Sequence, residues 1–126
     1  MKIVRNAVIC CLVALCLFAI LGCGKKADEN KPISEVKAEA EKMDADGLRA
    51  MAMAYKEAIA AKSGDLEKLT AKLKDIPVTE MLGAEAKSLK ADVENLEKSV
   101  SALKERFEVY YQKLKDTGGD ISGLQL

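Results

Sequence analysis

Residues 82–114 read LGAEAKSLKADVENLEKSVSALKERFEVYYQKL, and this stretch determines the predicted fold. Its apolar and aromatic residues are spaced alternately four and three positions apart, which is the a/d pattern of a heptad repeat. The seam positions are Leu82, Ala86, Leu89, Val93, Leu96, Val100, Leu103, Phe107, Tyr110 and Leu114. The pattern predicts a long helix with one continuous apolar face, which runs to about Asp116 and ends at Gly118-Gly119.

A second seam precedes this helix and predicts a partner for it. The same spacing is carried by Ala45, Leu48, Ala52, Tyr55, Ile59, Lys62, Leu66, Leu69, Leu73 and Ile76, and Lys62 is the one member that is not apolar. Lys62 would either select the register or the partner, or extend its charge outward past Glu94 or Glu97. This first helix is predicted to start near residues 33–35, with Ser34 as N-cap, and to run to about Asp75. Pro77 then ends it, because proline lacks an N–H and restricts the residue before it. Thr79 is the predicted N-cap of the second helix.

The two seams predict an all-α fold: two long helices in an antiparallel coiled-coil hairpin over residues 33–117, with the turn near 76–79. In that arrangement Tyr55 would face Val100 and Ala52 would face Leu103, so that several pairs match a large side chain with a small one. Both ends of the mature chain would lie at the base of the hairpin, opposite the turn. A bare two-helix hairpin buries little apolar surface, so we expect further contacts.

A candidate for those contacts is the Met/Ala face of the first helix, which reads AMAMAYKEAIAA over residues 50–61. Its members outside the seam include Met51, Met53, Ala54, Ala58 and Ala61. A helix that is apolar on more than one side packs on more than one side, and methionine suits adaptable binding. Alanine is also a good helix former, which explains part of the pattern without any partner. The occupant would be a second copy, in a four-helix bundle, or another protein.

The N-terminal region has the features of an export signal. Lys2 and Arg5 precede an uncharged run over residues 7–21. Gly22 and Cys23 follow directly, so the run leads into the sequence Ile20-Leu21-Gly22-Cys23. A signal-peptide core has about 7–15 apolar residues, whereas a membrane-spanning helix needs about 20. Counted on through Gly24, the run reaches a borderline spanning length, so an uncleaved membrane anchor is the alternative.

This arrangement resembles the signal peptide of a bacterial lipoprotein, with a lipobox that ends at Cys23. The resemblance implies cleavage between Gly22 and Cys23, removal of residues 1–22, and a thioether-linked diacylglycerol on Cys23, often with a third acyl chain. Because Gly24 stands where an Asp tends to retain lipoproteins in the inner membrane, the resemblance also implies the periplasmic face of the outer membrane. In a bacterium with one membrane, the address would be the outer face of the plasma membrane.

The resemblance divides the chain into four parts. Residues 1–22 are the signal peptide, residues 23–32 the lipidated cysteine with a flexible tether, residues 33–117 the helical hairpin and residues 118–126 a tail. The tail carries three apolar residues, and it either folds back onto the base of the hairpin or serves as a docking peptide.

Composition restricts the chemistry of the mature chain. Cys10, Cys11 and Cys16 would leave with the signal peptide, Cys23 would carry lipid, and the sequence contains no His. Loss of Lys2 and Arg5 from the twenty basic residues leaves eighteen, spread evenly among twenty acidic ones. No basic stripe, nucleophile motif or ligand set stands out. We therefore expect no enzyme activity, cofactor, metal, nucleic-acid partner or small-molecule substrate.

The function predicted from these features is that of a lipid-anchored structural or adaptor module of the cell envelope that self-associates. The chain resembles small coiled-coil murein-type lipoproteins in having a lipobox followed by heptads. It differs from them in its turn at Pro77 and in ending at Leu126 without a C-terminal lysine, so covalent attachment to peptidoglycan is not expected. The alternative is an envelope chaperone or regulatory subunit that binds a client through the Met/Ala face.

Overall fold

The computed structural model describes residues 26–126, and within this range every regular element is helical. Helix α1 spans Ile33–Lys42, α2 spans Ala45–Asp75 and α3 spans Ala84–Asp116, with one 3-10 turn at Val78–Glu80 between α2 and α3. The two long helices, α2 and α3, pack against each other, and α1 packs against α3. The predicted all-helical class is confirmed for the described residues. The predicted signal peptide lies outside them.

The prediction of one continuous helix from residue 33 to residue 75 is wrong, because the chain breaks between α1 and α2. Met43 has an extended backbone, and the Asp44 carboxylate accepts a hydrogen bond from the Gly47 N–H at 2.8 Å. This side-chain bond satisfies one of the free N–H groups at the start of α2, so Asp44 favours a new helix start over continuation. Ser34 is not the cap of α1, which follows Pro32 and has no side-chain cap.

The connection between the long helices begins where it was predicted and ends later. α2 stops at Asp75 and Pro77 follows, as expected. Thr79 does not cap the next helix, since it lies in the 3-10 turn, and α3 instead starts after Gly83. The Gly83 N–H donates to the carbonyl of Glu80 at 2.8 Å, so the local turn delays the helix by several residues.

The end of α3 is confirmed. The helix stops at Asp116, and Gly118 adopts a left-handed backbone with φ of 72°. The Gly119 N–H then donates to the carbonyl of Leu114 at 2.9 Å, which satisfies a free carbonyl of the last turn. Beyond this point the tail turns back onto the helices.

The core lies in one half of the molecule, which we call the packed half. It joins the first part of α2 to the last part of α3, and α1 and the tail complete it. Its buried members are Val36, Ala40, Leu48, Met51, Ala52, Tyr55, Ile59, Val100, Leu103, Phe107, Tyr110, Leu114 and Leu124. At its centre the rings of Tyr55 and Tyr110 stack with centroids 5.6 Å apart. Tyr55 was predicted to face Val100, and the structure stacks its ring on that of Tyr110.

Candidate interaction surfaces

The N-terminal segment, residues 26–32, lies against both long helices. The Asp28 N–H donates to the Tyr55 hydroxyl oxygen at 3.2 Å, and that hydroxyl donates to the Asp28 carbonyl at 3.1 Å. The Glu29 carboxylate accepts from Lys62 of α2 at 2.6 Å and from the hydroxyl of Ser99 of α3 at 3.0 Å. These residues belong to the predicted tether of residues 23–32, of which the structure describes only the second part.

Arg106 holds the end of this segment. Only 8% of it is exposed, and its Nε donates to the Lys31 carbonyl at 2.8 Å while Nη1 donates to the Ala102 carbonyl at 2.7 Å. Both are backbone carbonyls, so a buried cation is stabilised here by hydrogen bonds to dipoles. Sequence analysis missed this role, although Arg106 directly precedes the seam residue Phe107.

Glu39 connects α1 to the same region. Its carboxylate pairs with the Lys31 ammonium and accepts a hydrogen bond from the Tyr110 hydroxyl at 3.2 Å. The pairing with Glu39 raises the pKa of Lys31. Burial raises the pKa of Tyr110, and the charge of Glu39 makes a smaller contribution in the same direction. Both shifts favour the protonated form, in which the Tyr110 hydroxyl donates its hydrogen bond to Glu39.

Lys62, the polar member of the first seam, has a specific partner. Its ammonium contacts Glu29, and the hydrogen bond from Lys62 lowers the pKa of the Glu29 carboxyl group. The Ser99 hydroxyl also lowers this pKa, whereas partial burial and the charge of Asp28 raise it. The sequence left two roles open for Lys62, a register-selecting residue or a charge that reaches outward past Glu94 or Glu97. The structure directs it to the N-terminal segment instead.

Acidification is predicted to release this segment. The pKa of Glu29 is lowered in the folded chain from 4.5, so its contribution is complete above about pH 4.5 and disappears as the pH falls through the lower, folded value. Amide hydrogen exchange of residues 26–32 should therefore accelerate below pH 4.5, relative to the core amides of α3. Glu29→Gln should show fast exchange at every pH, and Glu94→Gln serves as the control. Equal pH dependence in Glu29→Gln and the unaltered chain would contradict this assignment.

The tail, residues 118–126, is fastened to α2, and we call it the strap. Arg49 donates to the carbonyls of Asp120 and Ser122, and Lys56 donates to those of Gly123, at 2.8 Å, and Gln125. Between these contacts the side chain of Leu124 is fully buried in the core. Arg49 and Lys56 are seven residues apart, so they lie on the same side of α2. Of the two roles predicted for the tail, the structure shows that it folds back onto the helices. The groove that receives Leu124 beside Arg49 and Lys56 was not predicted.

The structure distributes the Met/Ala face over different environments. Met51 is buried in the core and Ala58 packs against it, whereas Met53 is 38% exposed, Ala54 is half-buried and Ala61 is exposed. The chain itself therefore covers part of the predicted face. Gly22 and Cys23, the predicted cleavage and lipidation sites, lie outside the described residues.

The part of α2 and α3 beyond the core, which we call the distal half, retains exposed apolar groups. Here the small Ala86 is fully buried, whereas six apolar seam residues of the two long helices are only half-buried: Leu66, Leu69, Leu73, Leu89, Val93 and Leu96. Near the connection, Val78 is 90% exposed and Leu82 is 83% exposed. Helix α1 and the strap cover α2 and α3 in the packed half, and within residues 26–126 nothing equivalent covers the distal half.

No metal centre or membrane span emerges from the described part of the chain. Residues 26–126 contain no cluster of three or more His, Cys, Asp or Glu side chains placed to bind a metal ion. No helix within that range combines the length and the apolar character needed to cross a bilayer. The chain matches no protein-family model, no curated protein and no solved structure.

Proposed function

We propose that the chain is a lipid-anchored protein of the bacterial envelope that acts as a self-associating structural or adaptor module. The observation that carries this proposal is the run Ile20-Leu21-Gly22-Cys23 placed immediately before a folded helical body. Six positions separate Cys23 from Glu29, which is bound to both long helices. Two acyl chains suffice for stable anchoring, so the body needs no membrane-spanning element of its own. Neither catalysis nor a cofactor is part of the proposal.

We further propose that α2 and α3 run antiparallel as a coiled-coil hairpin. A parallel arrangement would have to return the chain along the whole 31-residue α2, about 46 Å at 1.5 Å per residue. The connection over residues 76–83 reaches at most about 28 Å when fully extended. The packing of the early part of α2 on the late part of α3 supports the same arrangement.

Self-association is supported by the distal half. Half-buried leucines on two adjacent helices offer an apolar strip, and two such strips bury each other in a four-helix bundle. Val78 and Leu82 lie at the end of this strip and add apolar surface that the described chain does not cover. The proposed contact is therefore between distal halves of two copies.

The second candidate function is client binding, as an envelope chaperone or regulatory subunit. Met53 favours it, because 38% of this flexible apolar side chain remains exposed on α2. The burial of Met51 leaves a smaller surface than the sequence predicted. A client would thus contact Met53, Ala54 and Ala61 rather than the whole face.

Photo-crosslinking in intact cells separates the two functions. A photoreactive residue replaces Leu82, Met53 or, as an exposed control on α2, Glu57. We expect a crosslinked homodimer from position 82 and no efficient product from position 57. A single heterologous product from position 53, with none from position 82, would favour client binding. Recovery of monomer alone from all three positions would contradict both functions.

A further inference from the structure

The strap binds α2 as a short peptide with a turn of its own, in which Gly123 has a φ of 75° and the Leu124 N–H donates to the Ile121 carbonyl at 3.2 Å. Four backbone carbonyls of the strap accept hydrogen bonds from Arg49 and Lys56, the Asp120 carboxylate also lies 3.4 Å from Arg49, and Leu124 supplies the apolar anchor. Recognition of this kind depends on the shape of the strap backbone and on the side chains of Asp120 and Leu124. It does not depend on the chain to which the strap belongs. A strap from a second copy would therefore fit the same groove with the same contacts.

Only the turn at the end of α3 commits the strap to its own chain. Gly118 has a φ of 72°, a conformation that residues with a Cβ rarely adopt. At Gly119 an added Cβ would lie 2.2 Å from Cδ1 and 3.2 Å from the carbonyl oxygen of Leu114. Leu114 is buried in the core, so it has little room to move away. The turn thus requires glycine at two successive positions, whereas the groove itself uses neither of them.

We propose that two copies of this chain join by exchanging their straps, each Leu124 filling the groove on α2 of the other copy. The groove contacts are identical in the closed and the exchanged forms, so the balance depends on the turn and on the local concentration of copies. Copies held on a membrane surface are concentrated, which favours exchange. The inference deepens the proposed self-association and places a contact in the packed half, in addition to the distal one.

The turn can be altered without touching the groove. Gly119→Ala introduces the clash with Leu114 in the closed form, and the clash disappears when the strap leads away to another copy. Gly64→Ala is the matched control, because a Cβ at Gly64 would meet nothing within 4 Å. Leu124→Ala removes the anchor, so it weakens both the closed and the exchanged forms.

Exchange is measured with full-length chains in detergent, mixed as ¹⁵N-labelled and unlabelled copies, with a photoreactive residue in place of Gln125, next to Lys56. Mixed-isotope crosslinks between strap and α2 report exchange. We expect Gly119→Ala to raise the yield of mixed-isotope crosslinks about tenfold over the unaltered chain. Gly64→Ala should leave this yield unchanged. Gly119→Ala combined with Leu124→Ala should abolish the gain. Absence of mixed-isotope crosslinks from the unaltered chain, or from a Gly119→Ala chain that remains helical, would overturn the proposal.

A second measurement covers the case in which Gly119→Ala loses its helical structure. A fluorescent peptide with the sequence of residues 119–126 is added to the Leu124→Ala chain, whose own strap lacks its anchor. We expect this peptide to bind saturably. The same peptide with alanine in place of Leu124 should bind at least tenfold more weakly. Absence of binding would overturn the proposal. Both assays report contacts of the strap with α2 and neither reports a contact at Cys23 or Leu82, so they separate strap exchange from the anchoring and the distal pairing proposed above.

Discussion

Replacing Tyr110 by alanine will lower the free energy of unfolding by about 3–5 kcal/mol. Tyr110 is fully buried, and its ring stacks on that of Tyr55 at the centre of the core. Its hydroxyl also donates to Glu39, so the side chain connects α3 to α2 and to α1. Removal of the ring leaves a cavity among three elements that are joined mainly through this cluster. The measurement is chemical denaturation followed by circular dichroism at the helical signal.

Two further variants test whether the effect comes from burial. Tyr110→Phe keeps the stack and loses the hydrogen bond to Glu39, so we expect a loss of about 1 kcal/mol. Leu82→Ala removes an apolar side chain that is 83% exposed, and we expect a change within about 0.5 kcal/mol. If Tyr110→Ala and Leu82→Ala were equally harmless, the core described here would not be what stabilises the chain.

Replacing Cys23 by serine will abolish lipid attachment completely. The proposed modification joins diacylglycerol to a thiol, and a serine hydroxyl is a far weaker nucleophile than a cysteine thiolate. Cells fed labelled palmitate should therefore incorporate label into the unaltered chain and none into Cys23→Ser. Intact mass spectrometry should show the unaltered protein as residues 23–126 plus lipid, and this species should be absent from the variant.

Cys16→Ser is the matched control, because Cys16 lies in the segment that cleavage removes. This variant should carry the same label and have the same mature mass as the unaltered chain. A mature mass that still includes residues 1–22 would instead identify an uncleaved membrane anchor. Label retained in Cys23→Ser would place the lipid on another residue.

Sequence reasoning succeeded where the deciding physics is local. The end of α2 at Asp75 follows from Pro77, because proline restricts the residue before it. The end of α3 at Asp116 follows from Gly118, because glycine readily adopts the left-handed conformation that ends a helix. The helical class followed from the spacing of apolar residues, since 3.6 residues per turn place them on one face. The lipidation site on Cys23 remains a prediction from sequence, outside the described residues.

The break between α1 and α2 at Met43–Asp44 was not predicted from the sequence. The heptad spacing begins only at Ala45, so it gives no register for residues 33–42 and does not reveal that α1 is a separate helix packed against α3. The capping bond from Gly47 to Asp44 competes with helix continuation, and contacts of Val36 and Ala40 with the distant core favour the break. The local sequence thus favours a helix end at Met43 only weakly, and packing against residues far along the chain determines it.

Apolar spacing and breaker residues were enough to predict two long helices and their C-terminal ends at Asp75 and Asp116. The positions of the N-terminal segment and the strap depended on contacts between residues some 27 to 75 positions apart, such as Tyr55 with Asp28 and Arg106 with Lys31. Hydrogen bonds to backbone carbonyls form with any residue type, so they leave no pattern in the sequence. They are defined only once folding has brought a cation and a carbonyl together.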